Sequence, residues 1–125
     1  MKRIAAACVI FVLLIAGCGG AYRLIDRTTA RLADEVTRAH DALGGDAGSA
    51  AQMLETSYGS WRRAHELLSA LVRHDEIDEI ENLYLRALQC AEDGAVEEGR
   101  MQTRELAGML RHLAEMERPT GGNIL

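Results

Sequence analysis

The chain is expected to fold as an all-α protein: an antiparallel up-and-down bundle of about four helices after an N-terminal apolar membrane or signal segment. Three observations predict it. Ala, Leu, Glu and Arg are abundant while proline occurs once, and those residues favour helix. Apolar side chains recur at three- and four-residue steps through the body, and no stretch shows the strict alternation of a strand. The first residues form an uncharged apolar run that follows two cations.

That run sets the first boundary, at residues 1–22. Lys2 and Arg3 are a short positive start, and Ile4 to Tyr22 carry no charge. One reading is a signal peptide of the lipoprotein type. Its end, Ile15-Ala16-Gly17-Cys18, resembles a bacterial lipobox, which implies cleavage before Cys18 and a diacylglyceryl group on its sulfur. The other reading is an uncleaved anchor, since the run just reaches the roughly 20 residues needed to span hydrocarbon. Lys2 and Arg3 then hold the N-terminus in the cytoplasm. Both readings stay open, and both place the body at the cell membrane on its outer, extracytoplasmic side.

Residues 23–117 are the expected bundle domain. The first helix, Arg23 to Leu43, carries a stripe of Ile25, Thr28, Leu32, Val36, Ala39 and Leu43. Arg23, Arg27 and Arg31 lie on another face, against anionic headgroups or simply solvated. Gly44 to Ser49 breaks the helix, with Gly as an αL stop and Asp46 or Ser49 as the next cap. The second helix, about Ser49 to Arg73, has a stripe of Leu54, Tyr58, Trp61, His65, Leu68 and Val72, widened by Ala64, Leu67 and Leu71. Trp61 is the largest apolar group and is expected to anchor the core, with Tyr58, Leu68, Ile80 and Tyr84 around it.

At Arg73-His74-Asp75-Glu76 the apolar phase jumps, which predicts a corner, with Asp75 as cap and Asp78 three residues on. One continuous helix is the alternative, at a length well beyond the usual. The third helix, about Glu76 to Ala91, carries Ile77, Ile80, Leu83, Tyr84, Ala87, Leu88 and Ala91, and ends at Glu92-Asp93-Gly94. The fourth, about Ala95 to Glu117, carries Val96, Gly99, Thr103, Leu106, Leu110 and Leu113. Arg118 to Gly122 stops it, and residues 118–125 are a C-terminal tail. Gly45-Asp46 and Asp93-Gly94 form a faint internal echo, but the tetratricopeptide signature is missing. Short loops predict sequential antiparallel neighbours.

Charge and motifs narrow the function. Net charge is −5. Removing Met1 to Gly17 removes two cations and no acid and leaves −7, the opposite of the basic footprint of a nucleic-acid binder. Three cysteines make no disulfide framework, and Cys90 reads as a small buried hydrophobe. There is no Gly-x-Ser-x-Gly elbow, no phosphate-binding glycine loop and no glycine-centred calcium loop. A non-catalytic protein without a cofactor is therefore expected. His74 and Asp78, with His65 from the preceding helix, are the one polar set that can be suggested for a metal. Zinc needs three or four ligands in a closed geometry, and acids at a helix start or His at a helix end equally serve the helix dipole.

The second half resembles a family of short proteins of unknown function from Gram-positive bacteria, with an N-terminal membrane segment and an all-helical body. The likeness lies in Trp61, in Leu67 to Glu81 (LLSALVRHDEIDEIE) and in Arg86 to Leu88. It resumes in Glu105 to Glu117 (ELAGMLRHLAEME) and the closing Asn123-Ile124-Leu125, and covers most of residues 50–125. It implies an anchored extracytoplasmic helical domain, usually on an uncleaved helix, from which a lipobox at Ile15 to Cys18 departs. It implies no chemistry. The expected role is interaction: a tethered scaffold that presents a helix face to a protein partner at the membrane. The alternative is a bundle that holds a small ligand or metal near Trp61, Tyr58, His65 and Tyr84. An apolar cavity beside those residues, as opposed to an exposed apolar patch, discriminates the two.

Overall fold

The structure, a computed structural model, describes residues 1–116. It has four helices: α1 (Lys2–Leu43), α2 (Ala47–Leu71), α3 (His74–Asp93) and α4 (Val96–Met116). α1 packs on α2 and α4, and α3 packs on α2 and α4. Each helix thus lies beside two neighbours, in the antiparallel bundle that the short loops predict. The stop at Arg118 to Gly122 and the tail to Leu125 lie outside the described residues.

The largest departure from expectation is α1. The apolar run and the first bundle helix form one helix of 42 residues, about 63 Å long at 1.5 Å per residue. Nothing interrupts it at Tyr22-Arg23. Its first stretch is unpacked: Phe11 is 64% exposed and Leu14 62%. By length and composition this helix is able to cross a membrane, and none of its most apolar window is buried in the bundle. From Ile25 onward it enters the core.

The core follows the expected stripes with small changes of phase. In α1, Ile25, Leu32, Val36, Ala39 and Leu43 are buried, but the fully buried threonine is Thr29, not Thr28. Thr29 Oγ1 donates to the Ile25 carbonyl at 2.8 Å, so its hydroxyl is satisfied within its own helix. Thr103 does the same to the Gly99 carbonyl at 2.9 Å. A larger cluster around Trp61, Leu68, Ile80, Tyr84, Leu106 and Leu110 fills the half nearer the apolar segment. A smaller cluster of Ala39, Leu43, Ala50, Leu54, Ala87 and Ala91 fills the other half.

The helix ends also refine the expectations. Gly44 follows α1 in right-handed conformation, φ −74°, so the αL stop expected there is absent. A following Gly45 and the Asp46 cap turn the chain instead. Asp46 Oδ1 accepts from the Gly48 and Ser49 amides at 3.0 and 3.2 Å, as an N-cap should. Gly94 does take the left-handed form, φ +72°. The corner falls at Val72-Arg73, both extended, so there are two helices and not one. Its cap is not Asp75. The N-cap position is Arg73, with no side-chain cap, and Arg73 Nη2 instead donates to Asp75 Oδ2 at 2.9 Å. Asp75 and Glu76 sit in the first turn, where their charges complement the helix dipole.

Candidate functional site

Two regions contain the residues that the sequence singles out: the aromatic centre of the bundle and the junction with the apolar segment. At the centre, Trp61, Leu68, Ile80 and Tyr84 are all buried, and Tyr58 packs against them partly buried. The Trp61 and Tyr84 rings lie 6.2 Å apart between centroids, and Tyr58 and Tyr84 lie 5.7 Å apart. These are tilted contacts within the range in which aromatic pairs attract. Arg62 Cζ stands 6.0 Å over the Tyr58 ring.

Two tyrosine hydroxyls tie α2 to α3. Tyr84 OH and Ser57 Oγ lie 2.7 Å apart in the buried centre, and Tyr58 OH donates to Glu81 Oε1 at 3.1 Å. Ser57 is missing from the sequence-derived core although it sits on the stripe, three residues after Leu54 and four before Trp61. A serine there reads as polar surface. Only its partner, 27 residues away, explains the burial. Burial pushes the Tyr84 phenol well up from its ordinary value, the Ser57 hydrogen bond opposes this slightly, and the charge of Glu35 adds to it. Burial also raises Tyr58, helped by Glu81.

Among the described residues, Trp61 Nε1, Glu35 Oε2, His40 Nε2 and Gln102 Oε1 are buried atoms without a hydrogen-bond partner. A groove of about 470 Å³ runs between α1 and α2 and is lined by Glu35, Arg38, Ser49, Gln52, Met53 and Thr56. None of the five principal grooves among the described residues is lined by Trp61, Tyr58, His65 or Tyr84.

The suggested metal set is not assembled. His74 and Asp78 are exposed at the start of α3 and His65 is partly buried on α2, with its Nδ1 3.4 Å from Ser69 Oγ. Among the described residues no three His, Cys, Asp or Glu side chains come close enough to share an ion. Cys90 is buried. Desolvation, then Glu98 and Asp93, raises its thiol, which disfavours the thiolate that a nucleophile needs.

At the junction, Cys18 is exposed on α1. It lines an apolar notch of about 260 Å³ with Leu13, Leu14, Gly17, Ala21, Tyr22 and, from the end of α2, Leu71. Leu24, Leu67 and Leu71 nearby are exposed. Arg23, Arg27 and Arg31 are exposed, and Arg31 lies 3.8 Å from Glu35.

A family model described as "Domain of unknown function (DUF4363)" matches residues 20–124, a wider stretch than the likeness seen in residues 50–125. It begins at the end of the apolar run and takes in the bundle part of α1 and all of α2, α3 and α4. No curated protein and no solved structure matches the chain. Because the match spans well over half of the sequence, the chain belongs to the DUF4363 family, whose domain has no known function.

Proposed function

We propose that this protein is a membrane-tethered, extracytoplasmic helical scaffold that acts by binding a protein partner and not by catalysis. The observation that carries the reading is the bare apolar half of α1. A helix of which none of the apolar window is buried has no partner in the bundle, and hydrocarbon is the medium that such a surface favours. Lys2 and Arg3 hold its start on the cytoplasmic side, which puts the bundle outside. Anchorage is either through the intact helix or through lipid on Cys18.

The interaction role is supported by where the apolar surface lies. Trp61 and Tyr84 are buried in the core, while Met53 on α2 and Leu85 on α3 are exposed on the body of the bundle. A small-ligand or metal site would need room near Trp61 or a gathered set of ligands.

Native mass spectrometry of the protein extracted gently from its own membrane tests this. The expected result is a chain starting at Met1, or at Cys18 with a diacylglyceryl group, accompanied by a protein in fixed stoichiometry. A lone chain that retains a small molecule or metal ion would overturn it.

A further inference from the structure

We infer that the bundle has a second membrane contact: the end of α2, through Leu71 and Leu67, inserts between the acyl chains of the outer leaflet that surrounds α1. This rests on the anchor reading above and adds to it a fixed posture of the body on the membrane.

Three observations support it. The first is depth. Ile4 to Tyr22 is nineteen residues, a rise of about 28 Å at 1.5 Å per residue, against about 30 Å of hydrocarbon. With Lys2 and Arg3 at the inner surface, the hydrocarbon therefore ends near Tyr22-Arg23. Leu71 forms one wall of a notch whose other wall is Leu13, Leu14, Gly17, Cys18, Ala21 and Tyr22. Those residues belong to the outer half of the span, so Leu71 lies at or inside the hydrocarbon boundary.

The second is chemistry. The notch is apolar on both walls, and among the described residues no side chain fills it. Leu71 is 41% exposed and Leu67, one turn above it, 37%. Leucines at such positions gain free energy when they leave water, by about 25 cal/mol for each Å² buried. Tyr22, 40% exposed, stands where an amphipathic ring prefers the headgroup level. The third is continuity. The notch runs directly into the bare surface of α1, and the lipid that coats that surface enters it without any further opening.

The test uses the full chain from Met1 in vesicles of phosphatidylcholine and phosphatidylglycerol, with and without bromine on the acyl chains. Trp61 is the single native tryptophan. It is buried and ten residues up α2 from Leu71, about 15 Å, so it gives an unquenched baseline. Leu71→Trp and Leu67→Trp each report the proposed contact, Phe11→Trp reports the anchor, and Met101→Trp, at the far end of α4, reports water. The expected result is that Leu71→Trp, Leu67→Trp and Phe11→Trp lose most of their added emission in brominated vesicles while Met101→Trp does not.

Quenching at Phe11→Trp but at neither leucine position would overturn the second contact and leave the anchor standing. No quenching at Phe11→Trp would overturn the anchor, and the contact with it. Unquenched emission at Leu71→Trp that shifts to the blue only as protein is crowded in the vesicles would assign the notch to a second copy of the chain, and would equally overturn the lipid contact.

Discussion

Tyr84 and Trp61 meet at the middle of the bundle, but their polar atoms fare differently. Tyr84 OH has Ser57 Oγ at 2.7 Å, whereas Trp61 Nε1 has no partner among the described residues. Removing the first bond by Tyr84→Phe is expected to cost about 1 kcal/mol, the ordinary net value of such a bond, read from thermal unfolding of the full chain in micelles. Trp61→Phe loses no hydrogen bond, so its cost is purely packing, while Trp61→Ala is expected to cost about 3–5 kcal/mol. The tyrosines also set an alkaline limit. Burial holds the neutral phenol of Tyr84 in the folded state, so its folded pKa lies above the unfolded value of about 10. Its contribution is fully present below that pH and is lost as pH rises through the folded pKa. Unfolding temperature is therefore expected to fall above about pH 10, and to fall less steeply in Tyr84→Phe. Ser57 shows why part of this centre is hidden in a linear reading. Its stripe position is visible, but the hydroxyl that makes its burial tolerable belongs to another helix.

At the scale of helices, the glycines separate into those that packing requires and those that it does not. A Cβ at Gly99 would stand 3.2 Å from Cys90 Cβ and 3.3 Å from Leu43 Cδ1, so α4 approaches α3 and α1 closely there. Gly99→Leu is expected to destabilise by about 1–3 kcal/mol through overpacking. At Gly108 nothing lies within 4 Å, and Gly108→Ala is expected to stabilise by about 0.5–1 kcal/mol. Circular dichroism melts of the two variants should shift in opposite directions. Asp46→Ala removes the two cap bonds at the start of α2 and is expected to cost about 1 kcal/mol in the same assay. Periodicity alone places all four helices, because each apolar stripe is long and unbroken. It places the corner too, where the phase slips between Val72 and Ile77. The cap at that corner is not legible. Asp75 has the chemistry of a cap, but the backbone turns two residues earlier, and the carboxylate goes to Arg73. Nor does the sequence show that α1 runs unbroken through Gly17, Gly19 and Gly20. Their Cβ positions meet nothing within 4 Å, so no contact in the bundle requires glycine there.

For the whole molecule, the bundle and the apolar half of α1 form one continuous body, with the apolar half able by length and composition to cross a membrane. One helix, Lys2–Leu43, supplies both the bare apolar surface and a full wall of the bundle. Any tilt of the apolar half is thereby transmitted to the body. The acidic balance of that body, −7 beyond Gly17, is the opposite of the basic charge that draws a protein to anionic lipid. No function is legible at the aromatic centre, because Trp61, Tyr58 and Tyr84 are spent on packing. The proposed outward position of the bundle is read by protease shaving of intact, osmotically stabilised cells that carry the chain with a C-terminal epitope. The epitope is expected to disappear while a cytoplasmic marker survives, and a membrane-bound N-terminal remnant is expected to remain. An epitope that is protected until the cells are lysed, or a chain recovered in the soluble fraction, would contradict it.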